Sequence, residues 1–271
     1  MSAPITFLSD YGTRDEFAGV CRAVIARIAP EVKVIDLTHG IPAHNVRAGA
    51  AVLATALPYA PEGVHLAVID PGVGSERKGV AVRAASGDHI LVGPDNGLLW
   101  PALERLGGAT EAVEVSRSPV RLEPVSATFH GRDVFSPVAA ALARHGDLAR
   151  VGDRIDPGTL VRIERHPPRI EAGREVVAAV SHVDRFGNAA LDLDEAEARQ
   201  AGLRPGSEIV VDVGGRRHAA IYAVTFADVP AGGLILYLDS RRTLALAVNR
   251  DRVADRLGLA SGDEVAIRAA P

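Results

Sequence analysis

The 271-residue sequence predicts an α/β protein in two parts: an N-terminal α/β sandwich-like domain with a mainly parallel sheet over residues 1–166, then a small C-terminal β-barrel domain over 167–271. Three observations predict it. Strand-like and helix-like segments alternate through the first half, the pattern of a layered α/β fold. Short β-prone runs broken by Gly, Pro and Asp fill the second half, the pattern of a small barrel or sandwich. Between them, Arg165-His166-Pro167-Pro168 sets a paired proline between two apolar stretches and marks the boundary.

The elements follow in order. Ile5-Thr6-Phe7-Leu8 is a short apolar strand ending at Ser9-Asp10-Tyr11-Gly12. Phe17, Val20, Val24, Ile25 and Ile28 recur at helical spacing, so 17–28 is a helix, closed by Pro30. Residues 32–37 are strand-like and end at Thr38-His39-Gly40; 46–57 read as an Ala-rich buried helix. A third strand over 63–69 runs into Asp70-Pro71-Gly72-Val73-Gly74. Val80-Ala81-Val82 and His89-Ile90-Leu91-Val92 are short strands joined by Ser86-Gly87-Asp88, a hairpin signal. Helices are expected after Asn96-Gly97 and over 135–144. Past the boundary, strands are expected over 176–183, 208–213, 217–223, 233–238 and 244–248.

Composition narrows the function classes. Nearly half the residues are apolar and a quarter charged, as in globular proteins, and the formal net charge of −4 comes with no basic run. A nucleic-acid partner is therefore not expected. Basic residues are almost all Arg, with Lys only at Lys33 and Lys78. Cys21 is the sole cysteine, which excludes an internal disulfide and any Cys-rich metal site. No apolar run reaches the roughly 18 residues of a membrane helix, and Met1-Ser2-Ala3-Pro4 leads into a strand without signal-peptide features. The expectation is a cytoplasmic protein with a small-molecule substrate and no membrane partner.

Polar clusters recur just after the N-terminal strands: Ser9-Asp10, Thr38-His39, Asp70-Pro71-Gly72 and Gly93-Pro94-Asp95-Asn96. Open α/β sheets bind ligands beyond the carboxyl ends of their strands, so four clusters at one edge read as a pocket rim. Each alone is also ordinary turn composition. In the loop 70–77, Gly72 and Gly74 echo a dinucleotide loop, but Arg77 stands where the third Gly belongs and a strand follows. What remains is a carboxylate, Asp70, and a guanidinium, Arg77, on one tight loop. Thr128-Phe129-His130-Gly131-Arg132-Asp133 adds an imidazole suited to proton transfer, unless Asp133 caps the next helix and His130 packs beneath it. Asp184-Arg185-Phe186-Gly187-Asn188 ends a strand with an acid for an ammonium, a ring face and an amide for a heterocycle edge; a plain β-turn reads equally well. Asp239-Ser240-Arg241-Arg242 suits a carboxylate or a solvated turn, and His145, His166 and His218 read as surface residues.

The segments Phe7 to Gly12, Val68 to Gly74, Gly93 to Gly97, Thr128 to Asp133 and Asp184 to Asn188 resemble, in order and across nearly the whole chain, the S-adenosylmethionine hydroxide adenosyltransferases. These are the hydrolytic relatives of the fluorinase and chlorinase. The resemblance implies an N-terminal α/β domain, a C-terminal barrel, and hydrolysis of S-adenosylmethionine at C5′ to adenosine and methionine, with no cofactor. It implies a homotrimer with active sites between one subunit's N-terminal domain and a neighbour's C-terminal domain. It implies Asp70, Arg77 and His130 as the catalytic set and Asp10 as the ribose ligand. By the same resemblance Asp184 and Asn188 take the methionine ammonium and the adenine edge beside Phe186. Ser240, with Arg241 next to it, meets the methionine carboxylate, and the backbone near Val248 meets adenine. His44 stands where the halide users carry Trp. Those relatives carry an aromatic residue at position 70, and a carboxylate there repels a halide at short range. Two other readings remain: a metal-dependent phosphoesterase using Asp10, Asp70, Asp95 and His130, and a sensor that binds adenosine or S-adenosylmethionine without turnover.

Overall fold

The computed structural model describes residues 2–163, 167–171 and 175–270. The chain divides into two compact units, Met1–Ile163 and Glu164–Pro271. The paired-proline boundary drawn at 166/167, like the surface reading of His166, touches residues outside the described ones.

In the first unit, β1 (Ile5–Ser9), α1 (Phe17–Ile28), β2 (Val34–Thr38), α2 (Val46–Ala56) and β3 (Gly63–Val68) alternate as expected. They are followed by β4 (Gly79–Ala84), β5 (His89–Pro94), α3 (Trp100–Arg105), β6 (Ala109–Glu114), α4 (Ser136–His145) and β7 (Asp153–Ile155). The sheet order is β2-β1-β3-β5-β4-β6-β7. Pairings from β2 through β5 are parallel; those of β4 with β5 and β6, and of β6 with β7, are antiparallel. The sheet is thus mixed, because the tight 85–88 turn that joins β4 to β5 closes a hairpin, whereas a parallel pair needs a long crossover. Strands β6 and β7, unmarked in the sequence reading, extend that antiparallel half.

Side chains alternate across the sheet and bury two faces. Ile5, Phe7, Val64 and Leu66 pack with Cys21 and Ile25 of α1 and Val138 and Leu142 of α4. Leu8, Ala67 and Leu91 pack with Leu53 of α2 and Leu103 of α3. The result is a three-layer sandwich whose strand ends are held from both sides. Asn45 caps α2 by accepting from the Ala48 amide at 2.9 Å, and Gly49 inside that helix lets it lie directly on Ile69: a Cβ there would come within 1.9 Å of the Ile69 Cδ1. A π-helical turn, Gly131–Phe135, leads into α4. Asp133 does not cap that helix; its carboxylate accepts from the Ser126 amide at 2.8 Å and from the Arg132 side chain.

The second unit contains β8 (Arg169–Glu171), β9 (Glu175–Val183), β10 (Ala189–Asp194), α5 (Glu195–Gln200), β11 (Glu208–Val213), β12 (Arg216–Tyr222), β13 (Leu234–Leu238), β14 (Thr243–Val248), α6 (Val253–Leu257) and β15 (Glu264–Ala269). The order β10-β14-β13-β12-β11-β15-β9 closes through a β9–β10 pairing into a seven-stranded barrel, with β8 added to β9. Val176, Val180, Leu191, Leu193, Val211, Leu236, Leu246 and Ile267 fill its interior, as side chains do in small barrels. Strands β10 and β15, which the sequence reading did not mark, are needed for closure. Of the histidines read as surface residues, His145 is exposed and His218 half-buried.

Candidate active site

The Asp70 side chain stands just past the end of β3, behind buried Ile69. Its position is fixed from three sides: α2 presses on Ile69, Asn96 Nδ2 donates to the Ile69 carbonyl at 2.9 Å, and the following loop folds back on itself. In that loop the Ser75 hydroxyl donates to the Gly72 carbonyl at 2.6 Å and accepts from the Arg77 amide at 3.2 Å. The turn brings Arg77 round to Asp70 in a two-point contact, Nε to Oδ1 at 3.0 Å and an η-nitrogen to Oδ2 at 2.5 Å. Both side chains are buried, 9% and 6% exposed, and the guanidinium also lies 5.5 Å from the Phe135 ring centroid. The same η-nitrogen meets His130 Nδ1 at 3.2 Å.

The electrostatics of the three are coupled. Burial raises the Asp70 carboxyl above the ordinary acid range, and the charge and hydrogen bonds of Arg77 oppose it. Burial also lowers His130, helped by Arg77 and opposed by Asp70 and Asp133. The imidazole is therefore neutral around pH 7. A guanidinium can only donate, so Nδ1 accepts and the ring proton sits on Nε2. His130 thus faces the cleft as a hydrogen-bond donor.

Asp10, Tyr11, Phe17, His44, Asp70, Thr128, Phe129 and His130 line a cavity of about 280 Å³. Asp10 accepts from the His44 amide at 2.8 Å. Tyr11, Phe17 and Phe129 form an aromatic wall with ring centroids 5.2–5.9 Å apart. Gly131 admits the Tyr11 hydroxyl, which a Cβ would meet at 2.0 Å. Of the four expected rim clusters, those of Asp10 and Asp70 reach this cavity. Asn96 serves the Ile69 backbone instead, Asp95 accepts from the Val161 amide at 2.9 Å, and His39 is buried behind Ser9. Among the described residues no group of three His, Cys, Asp or Glu stands close enough to hold a metal ion.

The second unit gathers the remaining expected residues. Asp184, Asn188, Ser240 and Arg241 line one cavity of about 270 Å³ together with His182, Tyr237 and Asp239. Phe186, Asn188 and Val248 line another of about 550 Å³ with Phe226 and Arg250, so Asn188 borders both. The Asp184 carboxylate organises the turn, accepting from the Phe186 amide at 2.8 Å, the Asn188 amide at 2.9 Å and Asn188 Nδ2 at 3.0 Å. Phe186 is left 64% exposed, with the Arg185 guanidinium over its ring at 4.9 Å from the centroid. Asp239 holds its own turn through the Arg241 and Thr243 amides. Burial and then Arg241 lower His182; burial and then Asp184 and Asp239 push Tyr237 up to about 12.

Several lining residues escaped the sequence reading. His182 and Tyr237 each lie two positions before an acid already noted or adjacent to a noted cluster, so strand alternation puts them on the same face as Asp184 and Asp239. That signal was legible. Phe226, in a loop between strands, carried none, and Phe17 read as part of a helix's apolar face.

A sequence model of the SAM hydroxide adenosyltransferase N-terminal domain matches residues 5–152, and one of the C-terminal domain matches 178–266. The chain is 46% identical over 265 residues to an (R)-S-adenosyl-L-methionine hydrolase of Salinispora tropica, covering 98% of this chain and 97% of that one. It is 28% identical to a fluorinase of Nocardia brasiliensis, covering 97% and 96%. A crystal structure of an uncharacterized conserved protein from Thermotoga maritima superposes with a TM-score of 0.89 at 35% identity, covering 97% and 99%. The chain belongs to the SAM hydroxide adenosyltransferase family.

Proposed function

We propose that the protein hydrolyses S-adenosylmethionine at C5′, releasing adenosine, methionine and a proton. The observation that carries the reading is the Asp70–Arg77–His130 constellation, a buried carboxylate and cation locked together beside a half-buried, neutral imidazole in a cleft. Methionine leaves as a neutral thioether, so no general acid is required. The demands are a water in line with the C–S bond and stabilisation of the hydroxide character it acquires. That water first loses its proton to solvent; His130, donating from Nε2, and the positive charge of Arg77 hold the resulting hydroxide, and Asp70 fixes Arg77 and through it His130. The hydroxide then forms the C–O bond as the C–S bond breaks. Positioning in a near-attack geometry contributes as much as roughly 7–11 kcal/mol in the best cases.

In the same proposal Asp10 binds the ribose hydroxyls. Asp184 and Asn188 hold the methionine ammonium and the adenine edge, Phe186 packs on the base, Ser240 with Arg241 takes the carboxylate, and Val248 lies against adenine. The active species is a cytoplasmic homotrimer, each site combining one subunit's N-terminal unit with a neighbour's C-terminal unit, and no metal or cofactor takes part. The names of relatives such as that from Salinispora tropica direct the first trial to the (R)-sulfonium epimer.

The test is incubation with each epimer in oxygen-18 water, with and without chloride and a chelator, followed by mass spectrometry. Labelled adenosine and methionine, unchanged by chelator, is the expected result. A 5′-chloro product would overturn the role of Asp70. Loss of turnover with chelator would favour the phosphoesterase reading, and tight binding without products would favour the sensor.

A further inference from the structure

A second polar constellation lies behind the cleft. Ser9 and His39 are buried, 0% and 7% exposed, and the Ser9 hydroxyl meets His39 Nδ1 at 2.7 Å. On the other side of the ring, Nε2 has no hydrogen bond in good alignment but lies 3.1 Å from Asp36 Oδ1. Asp36 in turn pairs with Arg22 of α1 at 2.6 Å. The ring thus bridges the buried Ser9 hydroxyl, hydrogen-bonded at Nδ1, and the Asp36 carboxylate, which faces Nε2. The Ser9 oxygen still accepts from the Tyr11 amide at 3.3 Å. The contacts thus run in one chain, from the Tyr11 amide through Ser9 and His39 to Asp36.

The arrangement depends on an irregularity in the sheet. Phe7 pairs with Asp36, but Leu8 pairs with Thr38, so β2 bulges at Leu37 and swings His39 under the end of β1. The His39 ring packs edge-on against Phe7 with centroids 4.7 Å apart, and its carbonyl accepts from the Gly12 amide at 2.8 Å. The turn 9–12 is thereby held at both ends. Asp10, its second residue, faces the cleft and is gripped from outside by the His44 amide.

We propose that Ser9, His39 and Asp36 form a positioning relay that fixes the Asp10 carboxylate for the ribose hydroxyls of the substrate. Ser9 and His39 are too buried to touch substrate, and they act through Asp10. The proposal rests on the hydrolase reading for what Asp10 binds. It assigns a specific energetic signature, loss of ribose affinity with the displacement step preserved, because Asp70 and Arg77 sit on the β3–β4 loop and His130 leads into the turn before α4, none of them on the 9–12 turn itself.

The test uses the full-length protein with His39→Leu, His39→Asn, Ser9→Ala and the His39→Leu/Ser9→Ala double variant. Steady-state kinetics give KM and kcat, and calorimetry gives the affinity for adenosine. His39→Leu is expected to raise KM and the adenosine Kd about tenfold with kcat within about twofold, the pattern of lost binding common to ground and transition states. Asn places Oδ1 where the imidazole has Nδ1, so His39→Asn is expected to recover most of that loss. The double variant should be no worse than His39→Leu alone, since both remove one contact. If His39→Leu does not fold, Ser9→Ala carries the same expectation at a smaller size. A lowered Tm with unchanged KM and Kd, additive effects, or a fall in kcat alone would overturn the relay. A wild-type protein that binds adenosine but turns nothing over would overturn the hydrolase reading and leave the relay to be judged on the adenosine Kd.

Discussion

Position 130 shows how burial, and then neighbours of opposite charge, set one side chain's protonation. Burial and then Arg77 lower the His130 pKa, while Asp70 raises it. The imidazole thus stays neutral through the neutral range and protonates only below its ordinary value of about 6.5. Once protonated, Nδ1 carries a hydrogen that faces the Arg77 guanidinium, and their contact becomes a repulsion. Activity is therefore expected to be level around neutral pH and to fall on the acid side, below about pH 6.5. The neighbours should move that limb in opposite senses. Arg77→Gln removes a lowering influence, so the His130 titration moves up. Asp70→Asn removes a raising one, so it moves down. Each variant should lose turnover by about 10²-fold or more, as when a preorganised charge is removed from a site. The titration is accordingly followed by NMR of the His130 ring. Shifts of the same sign in both variants would refute the assignment of these charges.

Among the elements, the strands of the first unit carry a second histidine device far from the chemistry. Thr6 Oγ1 meets His65 Nδ1 at 2.8 Å, and His65 Nε2 meets His89 Nδ1 at 2.8 Å, linking β1, β3 and β5 through their side chains. His65 is fully buried, and burial together with His89 drives its pKa down to about 3. A pKa depressed on folding means the unfolded chain takes up the proton first. The stabilisation is full above about pH 6.5 and erodes as pH falls toward about 3, at no more than about 1.4 kcal/mol per pH unit. Urea unfolding between pH 7 and 4 should show that slope. His65→Gln, whose amide can bond Thr6 and His89 without titrating, should flatten it; an identical slope in the variant would place the acid sensitivity elsewhere. The meeting of the two histidines was not legible in the sequence, because strand spacing shows which face a residue takes but not what it meets across the sheet. The same limit explains the rest. β1 and β3 were legible as compact apolar runs, and Asp70 with Arg77 because one short loop carries both. His130 lies 53 residues from Arg77, so its place in the constellation came from resemblance to a family. His39 reaches Ser9 only through a bulge that no local pattern announces. In the barrel, β10 runs directly into α5 and β15 mixes Glu and Arg with its apolar residues, which hid both.

Taken as a whole molecule, the chain distributes the expected ligands unevenly. The first unit holds the residues proposed to react and to bind the ribose; the second holds those proposed for the amino acid and the purine. The proposed trimer predicts that these parts work across subunits, and complementation tests it directly. Asp70→Asn disables the first unit of its chain, and Asn188→Ala, at the residue bordering both cavities, disables the second. Either variant alone should be nearly inactive. Mixed after reversible dissociation, random assembly leaves about a quarter of sites with an intact first unit from one chain beside an intact second unit from its neighbour. Activity should then return to about a quarter of the wild-type value and should appear only on the timescale of subunit exchange. If each chain instead built its site from its own two units, every site in the mixture would keep one defect and no activity would return. Sedimentation of the same samples fixes the subunit number, since a mass near three times 28.4 kDa is expected. Restored activity at twice that chain mass would keep the shared site and replace the trimer by a dimer.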